Sequence, residues 1–131
     1  MIEAMYWWME RMLGPAPGGE LAPEAKTLKG IAAAPGRYTG VVRVILNEAE
    51  FGKIQAGDVL VCPTTSPVWS LLFSSIGALV TDAGGILSHP AIIAREYHVP
   101  AVVATGNSTQ RLRDGQTVTV DGTAGIVEVL S

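Results

Sequence analysis

The residue in this chain best placed to do covalent chemistry is His89, in the run Asp82-Ala83-Gly84-Gly85-Ile86-Leu87-Ser88-His89-Pro90-Ala91-Ile92-Ile93-Ala94-Arg95-Glu96. The apolar residues before it suit a buried strand, the paired glycines a tight turn, and the residues after it a helix. Gly84 and Gly85 open backbone conformations closed to other residues and let a ligand or partner approach the chain closely. Ser88 or His89 then takes the cap position, with Pro90 pre-set for the first helical turn. A helix start favours an anion by about 0.3–1 kcal/mol through its free N–H groups and dipole, so a phosphate carried on His89 would sit in a stabilising field. Imidazole is largely neutral near pH 7, and one of its ring nitrogens can attack phosphorus. Taken alone, a histidine at a helix start is more commonly a cap or a surface residue.

Other polar residues have simpler readings. His98 falls at the far end of the same helix, where a cation complements the dipole. Thr64, Thr65 and Ser66 could line a phosphate-facing loop, although hydroxyls before a helix that starts with proline usually cap it. Asp82 could orient His89 or simply form a turn. Cys62 closes a strand as a small core residue, and Trp7, Trp8 and Trp69 read as packing surface.

The elements that must hold these residues alternate between short strands and short helices. Strands are expected over 38–46, 59–62, 78–81, 101–104, 117–120 and 125–130, where valine and isoleucine concentrate between turn residues. Helices are expected from Asn47 as cap through Ile54, from Pro67 to Ser75, and from Pro90 to Tyr97, with Pro100 ending the last. Residues 111–115 read as a polar turn and Asp121-Gly122 as a hairpin turn. This order predicts an α/β domain with a mixed, partly parallel sheet.

Residues 1–13 carry an apolar stripe at helical spacing, through Ile2, Met5, Tyr6, Met9, Met12 and Leu13. An amphipathic helix there is open to three roles: the end of a preceding domain, a docking helix, or a lid on this domain's own core. Residues 14–27, opening Gly-Pro-Ala-Pro-Gly-Gly, read as a flexible linker, and 28–131 as the domain proper.

Composition narrows the function. The 131 residues suffice for one core, and 48% hydrophobic with 16% charged residues describe a compact, turn-rich protein. Nine basic and twelve acidic residues give a net charge of −3 with no block of either sign, so no nucleic-acid partner is expected. A single cysteine excludes an intramolecular disulfide and a cysteine-rich zinc cluster, and suits a reducing cytoplasm. The apolar start is too short to span a bilayer, and Glu3 and Glu10 oppose a signal peptide, so no membrane association is expected. No nucleotide-binding glycine loop and no metal-ligand cluster is evident.

The run from Gly84 to His89, continued by Ala91 to Tyr97 and Val99 to Val103, resembles the phosphohistidine motif of the phosphoenolpyruvate-utilising enzymes. That family includes phosphoenolpyruvate synthase, pyruvate phosphate dikinase, enzyme I of the sugar phosphotransferase system and rifampin phosphotransferase. Gly30 to Gly36 is similar to the family's opening turn, Gly57 to Val61 to its second strand, and Asp114 to Gly122 to its closing hairpin, so the likeness covers about residues 28 to 130. The resemblance implies a swivelling β/β/α phosphohistidine domain. His89 would carry a phosphoryl or pyrophosphoryl group from an ATP-grasp nucleotide-binding domain, or from phosphoenolpyruvate as in enzyme I. It would pass that group to an acceptor-substrate domain in the same or a separate chain. Gly84, Gly85 and Ser88 would shape the turn, and Arg95 would be a phosphate or interface contact. No cofactor or metal is expected on this domain, ATP and Mg belonging to the partner.

Two residues depart from the family pattern. Leu87 stands where dikinases and enzyme I carry a threonine, so a hydroxyl near His89 is either absent or supplied by Ser88; this favours a synthase-like or antibiotic-kinase-like parent. Pro90 replaces a small residue and fits the first helical position. Two other functions compete: a non-catalytic interaction or regulatory module that keeps the fold and docks through Trp7 and Trp8, and a domain that binds free phosphate or carboxylate at the helix start.

Overall fold

The structure, a computed structural model, describes residues 27–131. The helix expected over 1–13 and the linker up to residue 26 lie outside the described residues. Eight strands form one mixed sheet: β1 (Thr27–Lys29), β2 (Ile31–Ala34), β3 (Arg37–Val44), β4 (Val59–Cys62), β5 (Ala78–Thr81), β6 (Ala101–Val103), β7 (Thr117–Asp121) and β8 (Ile126–Val129). Two helices, α1 (His89–Glu96) and α2 (Ser108–Arg111), and two 3-10 helices, η1 (Glu48–Lys53) and η2 (Pro67–Leu72), complete it.

The strand order is β1-β8-β7-β3-β4-β5-β6-β2. Strands β3 to β6 run parallel, while β1, β8 and β7 extend one side and β2 the other by antiparallel pairing. Strands β1 and β2 stand at opposite ends of that order, yet only Gly30 separates them in the chain. The sheet therefore curls until its two ends meet, and closing leaves few unpaired backbone groups at its edges. Gly30 N–H donates to the Gly125 carbonyl at 2.9 Å, and Gly122 N–H to Gly36 at 2.8 Å.

Two apolar layers fill the fold. Val59 and Val61 of β4, Val80 of β5 and Val102 of β6 face inside the curl with Leu28, Val118, Val120 and Val127. Leu60, Cys62, Leu79, Ala101 and Val103 point the other way, against Trp69, Leu72 and Phe73 of the η2 segment and Ala91 and Ala94 of α1. Both faces of the central strands are buried, which explains why their sequences are unbroken apolar runs rather than alternating ones. The small side chains of Ala91 and Ala94 let α1 lie close to the sheet. Trp69 packs edge-on against Phe51 at 5.0 Å between ring centroids, as core packing.

Several elements differ from the sequence reading. The opening turn over 30–36 contains β2, whose Ile-Ala-Ala-Ala sequence lacks strand periodicity and is held by pairing with β6 across a register shift. The helices near 47–54 and 67–75 are single 3-10 segments, the first capped by Asn47 through Ala49 N–H at 3.0 Å. Ser66 takes the extended cap conformation of η2 without a side-chain cap bond. The polar turn after residue 110 is preceded by the one-turn helix α2, which buries Ser108 and leads into buried Leu112.

On the edge beside α2, Asp114 accepts Val44 N–H at 2.7 Å and pairs with Lys53 at 3.0 Å. Partial burial raises the affinity of this carboxyl for its proton, but the Val44 N–H and the Lys53 and Arg43 charges outweigh it and hold the group below the usual carboxylate range.

Closure of the sheet is the most sterically demanding feature. A methyl on Gly122 would overlap the Ala34 carbonyl oxygen and approach Ala101 N to 2.8 Å, both backbone atoms that cannot swing aside. Gly52, in η1, has open space around it. Chemical denaturation should show Gly122→Ala destabilised by about 2–3 kcal/mol or more. Gly52→Ala should stay within about 0.5 kcal/mol of the parent. Equal stability of the two variants would mean that the sheet does not close at Gly122.

Candidate functional site

The parallel strands β4, β5 and β6 all end on one side of the sheet, and the loops that follow carry the polar residues picked out in the sequence. Ligand sites in open α/β sheets gather at such carboxyl ends. Loop 82–88 leaves β5 there and is fixed from several sides. Asp82 N–H donates to Cys62 at 3.1 Å, Ala83 N–H to Pro63 at 3.0 Å, and Thr81 Oγ1 to the Ala83 carbonyl at 2.6 Å.

Gly84 has φ +123, in the region that favours glycine, and a Cβ there would come within 2.9 Å of Ser88 Oγ. Gly85 has open space around it and no such constraint, so of the two glycines Gly84 is the one the turn requires. Ser88 holds the extended cap conformation of α1, but its hydroxyl turns back to the Gly85 carbonyl at 2.7 Å instead of capping forward. Arg95 reaches from α1 to the same loop, its Nε donating to the Ala33 carbonyl at 2.7 Å and an Nη to the Ile86 carbonyl. The guanidinium thus braces the loop against β2.

His89 opens α1, half-buried, with Nδ1 2.7 Å from Thr65 Oγ1. Among the described residues Nε2 has no hydrogen-bond partner, and the N–H groups of His89 and Ala91 have no acceptor. Pro90 brings no N–H, so its presence in the first turn leaves nothing unsatisfied. With Nδ1 protonated and donating to Thr65, the lone pair of Nε2 faces away from its anchor.

The hydroxyl missing at Leu87 is therefore supplied by buried Thr65, not by Ser88. Sequence reasoning had the threonine in view only as one of three adjacent hydroxyls. The signal that singles it out is its place just past β4, on the sheet end where the histidine loop also begins.

Asp82 does not orient His89. Its Oδ1 accepts Ser108 Oγ at 2.6 Å and Thr109 N–H at 2.9 Å, and its Oδ2 accepts Thr109 Oγ1 at 2.6 Å, so it holds the start of α2. Cys62 is fully buried, and desolvation, with Asp82 nearby, pushes its thiol far above its ordinary value, which makes it unfit as a nucleophile. His98 is exposed in left-handed backbone, φ +58, at the opposite end of α1 from His89. Among the described residues no three His, Cys, Asp or Glu side chains are grouped to hold a metal, and no helix is long and apolar enough to cross a membrane.

Residues 54–125 match the family model described as the mobile domain of PEP-utilising enzymes. The chain belongs to this family. The mobile domain is 54% identical over 102 residues to an uncharacterized phosphotransferase of Bacillus subtilis, covering 78% of this chain and 12% of that protein. It is 48% identical over 104 residues to rifampicin phosphotransferase of Streptomyces sviceus, covering 79% of this chain and 12% of the relative. Each of these relatives is several times longer than the mobile domain. Among solved structures, an Enzyme I protein in solution superposes with a TM-score of 0.52 at 36% identity, covering 58% of this chain and 32% of that one.

The Thr65 contact makes a spectroscopic prediction. Imidazole 15N spectra of the wild type near pH 8 should show mainly the Nδ1–H tautomer of His89, and Thr65→Ser should keep it. Thr65→Val should shift the ring toward Nε2–H. An unchanged tautomer ratio in Thr65→Val would show that the hydroxyl does not set the ring's protonation.

Proposed function

We propose that this chain is the phosphocarrier domain of a phosphotransferase, with His89 as the transiently phosphorylated residue. Family membership and the phosphotransferase names of its relatives support the reading. The observation that carries it is the ring itself: one nitrogen held by Thr65, the other without a described partner, at the open start of α1.

In the first step the Nε2 lone pair attacks phosphorus. The N–P bond forms as the bond from phosphorus to the donor's bridging oxygen breaks, and that oxygen leaves with the electron pair. Nδ1 keeps its proton throughout, so Thr65 accepts the same hydrogen bond before and after transfer. In the second step an acceptor oxygen attacks phosphorus and the N–P electron pair returns to Nε2, while the acceptor's own proton passes to a base on the acceptor side. The free N–H groups at the start of α1 stabilise the added charge by about 1 kcal/mol or less. Gly84, Ser88 and Arg95 act as positioning residues, since they fix the loop without reaching the reacting atoms.

The donor in this reading is ATP, with Mg, on an ATP-grasp nucleotide-binding domain. The acceptor, held on a further domain, is pyruvate, phosphate, water or an antibiotic hydroxyl. The chain matches about an eighth of the length of these relatives, which leaves ample room for both domains. A cytoplasmic setting belongs to the same proposal, since ATP is the donor and the single cysteine, Cys62, is buried without a disulfide partner.

The test replaces the matching segment of Streptomyces sviceus rifampicin phosphotransferase with this chain and adds ATP labelled at the β-phosphate. Acid-labile, base-stable label should appear on the protein and fall at least 100-fold in His89→Ala. Label that persists in His89→Ala would overturn the assignment.

A further inference from the structure

Where β3 ends, between η1 and the turn after α2, the surface opens into a groove of about 400 Å3. Val44, Leu46 and Leu112 give it an apolar lining, and Leu46 is 52% exposed. Glu50, Lys53, Asp114 and Arg113 stand on its rim, and the first three are engaged. Glu50 accepts Leu46 N–H at 2.7 Å and Asp114 accepts Val44 N–H at 2.7 Å, while Lys53 pairs with Asp114 at 3.0 Å and donates to the Val44 carbonyl. The Arg113 guanidinium has no hydrogen-bond or ion-pair partner among the described residues. Such a groove is complementary to a row of apolar side chains with a carboxylate on one flank.

Strand register brings the chain's own upstream segment to this end of the sheet. Thr27 pairs antiparallel with Glu128, so a chain entering β1 comes in beside β8 from the side of Leu130. Leu130 N–H donates to Thr117, Thr117 pairs with Val41, and Val44 lies three residues further along the same strand. Three strand spacings and three residues of rise put the groove within about 25 Å of that entry point. Residues 14–26 can span about 45 Å when extended and about 20 Å as a flexible coil, so residues 1–13 can reach it.

We infer that residues 1–13 dock as a helix in this groove, with Met5, Met9 and Met12 against Leu46 and Leu112 and with Glu3 and Glu10 toward Arg113. On a helix Glu3 and Glu10 stand two turns apart on one flank of the apolar stripe, beside Tyr6, while Arg11 falls on the far side. This pattern meets an apolar floor with one unpaired cation on its rim. Methionine adapts to an irregular lining better than a branched side chain does. The tether also holds this occupant at a local concentration of roughly millimolar, which a separate partner reaches only when abundant. Of the three roles open to the helix, the groove selects a lid on the domain itself. Nothing in this contact involves His89, so it stands or falls apart from the phosphocarrier reading.

The experiment uses the full chain with two cysteines introduced, since native Cys62 is fully buried and does not compete. In Met9→Cys/Leu46→Cys, oxidised glutathione should close an intramolecular disulfide at least tenfold faster than in Met9→Cys/Ala124→Cys, whose second cysteine lies in the β7–β8 turn at the opposite end of those strands. Arg113→Glu should slow the closure at least fivefold, and adding Glu3→Arg/Glu10→Arg should restore it. The inference is overturned if the two cysteine pairs close equally fast, if Arg113→Glu leaves the rate unchanged, or if the reversed charges fail to recover a rate that Arg113→Glu has lost. A disulfide-linked dimer in place of the intramolecular bond overturns it as well, since the groove then takes a second copy.

Discussion

An imidazole that is to carry a phosphoryl group must be held by one nitrogen and left open at the other, and the hydrogen bond between His89 Nδ1 and Thr65 Oγ1 meets the first half of that requirement. A carboxylate in place of the threonine would hold the ring as firmly, but it would favour the imidazolium, which has no lone pair to attack with. A hydroxyl holds the ring without adding charge. The nearest acidic candidate in the sequence, Asp82, spends both oxygens on α2 and makes no hydrogen bond to the ring.

That bond depends in turn on how the sheet is built. Thr65 follows β4 and His89 follows β5, and parallel pairing of these strands in register brings the two loops to the same end. Burial of both faces of β4 and β5 fixes the pairing, because a slip of one residue would exchange the two apolar layers. Closure of the sheet through Gly30 and Gly122 then anchors β2, whose Ala33 carbonyl receives Arg95. The chain of support runs from core valines, through strand register, to the position of a single ring nitrogen.

This hierarchy explains what the sequence disclosed. The glycine turn, the helix start and His89 lie within a few residues of one another, so their arrangement is local and legible. Thr65 is 24 residues from His89, and nothing in its own neighbourhood separates it from Thr64 or Ser66; only the β4–β5 register does. The contacts of Arg95 were hidden for the same reason, since the carbonyls that claim it belong to β2 and to the loop. Strand β2 and helix α2 were missed because an alanine run has no strand periodicity and a single helical turn has no helical one. Both are held from outside, β2 by β6 and α2 by Asp82.

The division of charge follows from the domain's task. A carrier that bound its phosphoryl group tightly with its own arginines would stabilise the loaded state and slow its discharge, whereas interactions that strengthen only in the transition state speed both transfers. The face around His89 instead offers the added group two backbone N–H groups and a weak helix dipole. On the function proposed above, strong cations belong to the donor and acceptor sites, so each transfer is accelerated only when His89 is seated in one of them.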